Sequence, residues 1–369
     1  MVRILVVEPF YGGSHRAFLD GLVHHSRHQF ELLTLPGGEW RRRMRRGAQE
    51  LAPAAAALDS QFDLLMATDM LDLAAFLALT RPRFATTPVL CYFHENQFTY
   101  PRLRGTKFNS WFGQINYLSA CAADYVAFNS AFHRDDFLAA LQTVAEAPNG
   151  WLVDEFIRGI GAKSAVLPVG VELSWLDEHR VMRPADALPL ILWNHRWEFD
   201  KAPDMFARAI ARLADEGLAF RLALAGEPGP NPAPELEDLI ATMPERIDQC
   251  GYLTSREEYA RALWESDIVV STSRHEFFGV GMVEALYCEC VPVAPRRYNY
   301  PALVPEGWHE PCLFDDQDSL VARLTALIGG RLPRDGAGRQ SAERFRWETV
   351  ITAWDEALEA MACRHINRE

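Results

Sequence analysis

No apolar run in this sequence approaches the ~18 residues that cross a bilayer, and no cysteine pair has the C-x-x-C spacing. The cysteines number seven, and the one close pair is Cys288-Glu289-Cys290, so neither a disulfide framework nor a zinc or redox motif is expected. The N-terminal MVRILVVEPF has a single basic residue and a short β-branched run ending at Glu8. It lacks the long apolar segment and small-residue cleavage site of a secretion signal, so it reads as a first strand in a cytoplasmic protein. Basic residues are also in deficit: 37 Lys and Arg face 50 Asp and Glu, for a net charge of −13. That balance excludes a broadly basic nucleic-acid surface. There is no internal repeat, no low-complexity tract and no heptad seam, and neither acidic pair sits in a D-x-D loop facing a nucleotide. Asp135-Asp136 and Asp315-Asp316 sit at a helix start and a strand end, where paired acids serve as dipole partners.

What is present is a long alternation of strand-like and helical segments. RILVVEPF (3–10), FELLTL (30–35), FDLLMAT (62–68), VLCYFHE (89–95), YVAFNS (125–130) and SAVLPVG (164–170) are mostly continuous apolar runs, the pattern of strands buried on both faces of a parallel sheet. Helical stretches lie between them, such as those at 14–27, 109–123 and 131–142. The second half repeats the plan with LILWNHR (190–196), FRLALAG (220–226), IDQCGYL (247–253), DIVVSTS (267–273), VPVAP (291–295) and CLFDD (312–316). Its helices are expected near 202–216, 255–266, 280–289, 317–329 and 340–361. With 369 residues and 49% hydrophobic content, the fold class is α/β with two doubly wound domains facing a central cleft. The expected boundaries are 1–173, a linker at 174–188, a second domain at 189–340, and a C-terminal helix at 341–369 packing back on the first domain.

In such folds ligands bind beyond the carboxyl ends of the strands, and the polar motifs fall there. In LILWNHRWEFDK, Arg196 ends a strand and Lys201 precedes a helix, a compact anion site suited to a diphosphate. In HEFFGVGMVEALYCE, Glu276 stands in the loop after a strand, Gly279 and Gly281 permit a tight turn, and Glu284 lies within the next helix. Carboxylates accept hydrogen bonds in pairs, which suits vicinal diols such as a hexose and a ribose. Each feature also has a plainer interpretation, as surface cations, a cap or a surface charge. HHSRH (24–28) reads as a solvated helix face.

The pattern E-x7-E with EFFG at its head and VPVA beyond, VLPVGVEL (166–173) and HRWEFDK together resemble the retaining glycosyltransferases of the GT-B fold. EPFYGGSHRAFLDGL (8–22), YFHENQFTYP (92–101) and LWNHRWEFDK resemble the tRNA-queuosine mannosyltransferases within that superfamily. The resemblance implies a metal-independent, retaining hexosyltransferase that carries mannose from GDP-mannose to the queuosine of a tRNA anticodon, with no cofactor and no membrane. It implies that Gly12, Gly13, Ser14 and His15 adjoin the donor, with Ser14 as an N-cap, and that His94 contacts the transferred sugar. Arg196 and Lys201 would take the diphosphate, Glu276 and Phe277 the sugar side, with Gly279 beside the donor, and Glu284 the ribose. Glu95 and Asn96 are either acceptor contacts or loop braces. The one local concentration of positive charge, WRRRMRR with Arg41, Arg42, Arg43, Arg45 and Arg46, is expected to meet tRNA phosphates or to be a solvated surface segment. Alternatives are a lipid or polysaccharide acceptor, a nucleotide-sugar epimerase, and a non-catalytic nucleotide-sugar-binding protein.

Overall fold

A computed structural model describes residues 1–101, 110–183, 187–229, 233–330 and 335–366. Among these, the chain divides into two compact units. The first comprises Met1–Tyr100, Gly105–Gly170 and Trp347–Glu369, the second Pro101–Arg104 and Val171–Arg346, in each case for the described residues.

The first unit is built on a six-stranded, all-parallel sheet of β1 (Arg3–Tyr11), β2 (Gln29–Pro36), β3 (Leu64–Thr68), β4 (Val89–Phe93), β5 (Tyr125–Phe128) and β6 (Ser164–Val166) in the order β2-β1-β3-β4-β5-β6. The order reverses at β1, the central start of two outward-running series, and places the β1 and β4 tips two strands apart. β3 and β4 are buried along their whole length, as their unbroken apolar runs require. Two helices, Trp40–Ala56 and Leu73–Phe84, carry internal prolines at Pro53 and Pro82. Both prolines fall near the C-terminal end of the helix, where each removes one i→i−4 hydrogen bond, and a break there leaves most of the helix intact.

The second unit carries β7 (Leu190–Trp193), β8 (Arg221–Ala225), β9 (Ile247–Gly251), β10 (Ile268–Val270), β11 (Val291–Pro295) and β12 (Leu313–Phe314), again all parallel, in the order β12-β11-β10-β7-β8-β9. Here the order switches between β7 and β10, and the loops after those two strands are adjacent.

Three expectations change. The stretch read as a linker is built into the second unit where it is described. Ser174–Asp177 is a helical turn, Asp177 takes Arg339 at 3.0 Å and the Tyr287 hydroxyl at 2.6 Å, and Arg183 donates to the carbonyls of Trp264 and Cys288. Residues 184–186 lie outside the described set. The helix expected at 340–361 is two helices, Ala337–Glu343 and Trp347–Ile366. The Val171 amide donates to the Phe345 carbonyl at 2.8 Å, and the Phe345 and Arg346 amides make tighter i→i−3 bonds, to Ala342 and Glu343, at the break. Trp347–Ile366 belongs to the first unit, where a Cβ at Gly21 or Gly170 would overlap the Trp347 indole, so only glycine admits it. His28 is not solvated either: it is buried, with Nε2 at 3.1 Å from the Asp355 carbonyl. No helix among the described residues is long and apolar enough to cross a membrane.

Candidate active-site residues

β1 ends in the Gly12-Gly13 turn, and the first helix runs Gly13–His25. Gly12, not Ser14, is the N-cap. Ser14 is exposed one residue inside the helix, and no side chain caps it. Gly12 lies against Gly37, whose Cα would stand 3.0 Å from an added Cβ, and Gly13 has φ +54 in open space. Both positions therefore require glycine for physical reasons.

His15 turns back from the first turn of this helix onto β1. Its Nδ1 is 3.0 Å from Glu8 Oε2, and the other Glu8 oxygen accepts the Phe10 amide at 2.6 Å. Both residues are buried. Burial alone would strip His15 of its proton, but the Glu8 charge and hydrogen bond outweigh it and raise the imidazole to about 9.

His94 directly follows β4, and its backbone is clamped on both sides. Its N–H donates to Asp69 Oδ1 at 2.7 Å, and its carbonyl accepts from Asn129 Nδ2 at 2.9 Å. Asn129 Oδ1 in turn lies 2.9 Å from His133 Nδ1. The His94 ring is 4.1 Å from that of His15 and edge-on to Phe18 and Tyr92. Burial, then the charges of His15 and His133, hold it well below the ordinary histidine range, so His94 is neutral beside a charged His15. Its Nε2 is buried without a hydrogen-bond partner among the described residues. Asp69 is pushed up to about 8 by burial, with Glu95 and Glu8 adding to the rise while His15 and the His94 amide oppose it.

One ligand atom from each of Glu8, His15 and His94 falls within 4.8 Å of the others, a spacing a divalent cation could bridge. Both Glu8 oxygens are already engaged, by His15 and by the Phe10 amide, so the set is a satisfied ion pair next to a neutral imidazole. Glu95 Oε1 accepts from Gln97 Nε2 at 2.8 Å. Asn96, read as a possible acceptor contact, is fully buried, and its Oδ1 accepts from the Phe98 and Thr99 amides at 3.0 and 3.1 Å. It braces its own loop.

In the second unit the loops after β7 and β10 meet. Lys201 closes a short turn, Phe199–Lys201, ahead of the helix Pro203–Asp215. Its Nζ lies 3.3 Å from Glu276 Oε2 and 3.4 Å from Asp200 Oδ2, with the side chain 15% exposed. Arg196 is placed differently: it is 57% exposed and reaches Glu198 at 3.3 Å. Both charges are felt by His195, which burial first and then Lys201 and Arg196 lower to about 3. Phe277 is buried, its ring 4.1 Å from that of His275. Gly279 caps the helix Val280–Tyr287 with φ +102, and an added Cβ would press on Leu303 at 2.9 Å.

Glu284, on that helix, accepts the Tyr259 hydroxyl at 2.8 Å. Asn194, the first residue after β7, donates Nδ2 to the Tyr259 oxygen at 3.3 Å and to the Gly281 carbonyl at 3.0 Å. Burial raises the Glu284 carboxyl to about 7, with Tyr259 and Arg256 holding it back. A carboxyl near 7 flanked by hydroxyl and amide groups is suited to reading a diol, and its neighbours Asn194 and Tyr259 carry no sequence signal of their own. Glu8 does carry one: an acid inside a buried strand run.

Residues 3–171 match the family described as tRNA-queuosine alpha-mannosyltransferase N-terminal, and residues 189–329 match the glycosyl transferases group 1. The chain is 34% identical to the tRNA-queuosine alpha-mannosyltransferase of Drosophila melanogaster over 340 residues, covering 90% of this chain and 88% of that protein. It is 30% identical over 222 residues to a GDP-mannose-dependent phosphatidylinositol dimannoside mannosyltransferase of Mycobacterium tuberculosis, covering 58% of this chain and 56% of that one. Among solved structures, a sucrose-phosphate synthase from Thermosynechococcus elongatus aligns with a TM-score of 0.73 at 14% identity, covering 98% of this chain and 99% of that one. An Anabaena protein solved with UDP aligns at 0.67 and 15% identity, covering 98% of this chain and 100% of that one. These structures share the two-sheet α/β architecture of GT-B glycosyltransferases, as the motifs suggested.

Proposed function

Since the chain belongs to the tRNA-queuosine alpha-mannosyltransferase family, we propose that it transfers mannose from GDP-mannose to the queuosine of a tRNA, with retention of anomeric configuration and without a metal. The observation that carries the donor half of this reading is the meeting of Lys201 and Glu276 at 3.3 Å beside the β7 and β10 loops. Lys201 neutralises the charge that develops on the departing diphosphate, and Arg196 assists from a more exposed position. The donor's own phosphate oxygen then receives the acceptor's proton, so no separate protein base is required. Glu276 accepts hydroxyls of the sugar, and Glu284, held by Tyr259, accepts those of the ribose. The turn at Gly12 and Gly13 lets backbone approach the donor. His94 offers its neutral imidazole to a sugar hydroxyl; a buried ring nitrogen without a partner costs about 1–3 kcal/mol, which such a hydroxyl would recover.

The direct test is incubation with GDP-mannose and queuosine-containing tRNA, followed by nucleoside mass spectrometry. One added hexose on queuosine is expected. Transfer only to tRNA lacking queuosine, or only from a uridine donor, would overturn the assignment. The same assay in EDTA should proceed at an unchanged rate. Loss of activity on chelation, with rescue by Mg²⁺ or Zn²⁺, would show that the basic residues do not suffice.

A second expectation follows from Glu284. Only its ionised form accepts both ribose hydroxyls, so binding releases the proton a carboxyl near 7 still holds. Affinity for GDP should therefore rise by up to about tenfold between pH 6 and 8 relative to Glu284→Gln, which lacks that group. Tyr259→Phe removes the donor that favours the carboxylate and should shift the rise to higher pH. Calorimetric titration across that range checks both. Parallel profiles for the wild type and Glu284→Gln would remove the ribose contact.

A further inference from the structure

The five arginines of WRRRMRR lie on one helix, Trp40–Ala56, and the fold sorts them into two groups. Arg42, Arg43 and Arg46 surround Glu50 at 3.4, 3.3 and 3.7 Å, and Arg42 also takes Glu39 at 3.3 Å. Arg41 and Arg45, one helical turn apart, have no carboxylate within 4.0 Å among the described residues. They lie on aromatic rings instead: Arg41 is 4.5 Å above Trp40, and Arg45 is 5.2 Å from Phe112 and 6.0 Å from Trp111.

The anchoring of this arrangement is apolar. Met44, Met70, Phe112 and Ile115 form a small buried cluster with Phe10 and Trp40 packed against it, which fixes the helix to the segment carrying Trp111. Trp111 itself is 56% exposed. A large exposed indole beside Arg45, with Arg41 one helical turn away on Trp40, is an unusual surface for a chain of net charge −13. The rest of that charge repels a polyanion, so one can be held only where positive charge is left over. The rings distinguish among polyanions. A flat aromatic face next to a stacked guanidinium matches an unpaired nucleobase, with the adjoining phosphate on the cation, and each stacked base contributes about 1–3 kcal/mol.

We infer that Trp40, Arg41, Arg45 and Trp111 form a stacking surface for unpaired bases of the acceptor RNA, while Arg42, Arg43 and Arg46 serve to hold the helix. The inference rests on the tRNA reading above and adds the side chains that meet the loop nucleotides, which are single-stranded and can be splayed onto aromatic faces.

Three variants test it in the full-length protein: Trp111→Ala, the pair Arg41→Ala with Arg45→Ala, and the pair Arg42→Ala with Arg46→Ala. The last two remove the same net charge. Binding of a single-stranded anticodon-loop RNA and KM for queuosine tRNA are measured from low to moderate salt. Trp111→Ala is expected to weaken both by roughly tenfold or more with the salt slope unchanged, since stacking releases no counterions. The Arg41/Arg45 pair should weaken both and reduce the salt slope by roughly one to two. The Arg42/Arg46 pair should change RNA binding by no more than about threefold, because its charges are already shared with Glu39 and Glu50. GDP affinity should be unaffected in all three. Equal losses in the two arginine pairs would reduce the surface to undirected charge and overturn the inference. So would unaltered RNA binding in Trp111→Ala. If wild-type protein fails to mannosylate queuosine tRNA, the functional reading itself is lost; if it succeeds and the variants behave like wild type, only the stacking surface is.

Discussion

Lys201→Ala should lower single-turnover transfer from GDP-mannose by at least about 10²-fold, a loss of roughly 3 kcal/mol of transition-state stabilisation. The size follows from where the ammonium sits. It is 15% exposed, between Glu276 and Asp200, so its field is weakly screened and acts at close range. It also precedes the helix Pro203–Asp215, whose N-cap, Ala202, has φ 47 and gives no side-chain cap. Arg196→Ala should cost less, nearer tenfold, because Arg196 is 57% exposed and already shares its charge with Glu198. From the sequence the two cations looked equivalent; the fold ranks them. Glu276→Gln leaves Lys201 with one carboxylate neighbour fewer, and is expected to lower turnover with little change in GDP affinity. Rapid-quench measurement at saturating donor separates these effects. Activity of Lys201→Ala within threefold of wild type would place the diphosphate elsewhere.

The architecture was legible because strands buried on both faces must be continuously apolar, and β3, β4, β7 and β11 are. The family was legible because its motifs fall in loops directly after such strands. Reading failed where local pattern and tertiary bonding compete. One long-range bond, from the Val171 amide to the Phe345 carbonyl, accompanies the split of the helix expected at 340–361. At the sites, residues that act alone or in short motifs were visible: His94, Lys201, Glu276 and Glu284. Their partners were not. Asp69 reaches His94 across 25 positions, as Tyr259 reaches Glu284, and Asn194 gains its role only because Tyr259 and Gly281 are folded beside it. Ser14 was misread as a cap for the same reason: it is polar and near the right strand tip, but it faces solvent. For Asn96, left open between an acceptor contact and a loop brace, the fold supplies the bonds of its own loop.

The most demanding consequence concerns Glu8 and His15: the protein should lose stability as pH rises from about 6.5 to 9. His15 is raised from its ordinary value of 6.5 to about 9, because the Glu8 charge and hydrogen bond outweigh a burial that works the other way. A histidine raised on folding stabilises fully below its unfolded value, and the contribution is lost as pH passes through the folded one. A shift of that size corresponds to about 3 kcal/mol. Asp69 acts in the same sense. Its carboxyl, raised from 3.8 to about 8 by burial, favours the folded state when protonated, and that preference is lost as it ionises. The other groups facing the pair, His94, Glu95, His133 and Tyr92, differ in sign and distance, so a variant is needed to isolate His15. In Glu8→Gln the imidazole keeps its burial but loses its counter-charge, and should fall to or below 6.5. That variant should be less stable than wild type at pH 6.5, and close to it at pH 9.5, where wild-type His15 is neutral as well. Glu8→Asp, retaining the charge, should keep most of the slope. Urea unfolding at the two pH values gives the stabilities, and histidine NMR gives the titrations directly. His15 should titrate near 9 in wild type, while His94 stays neutral where an ordinary histidine takes up its proton, and so available to a hydroxyl. A wild-type stability that is level across this window, or an unchanged slope in Glu8→Gln, would mean that Glu8 does not hold a proton on His15.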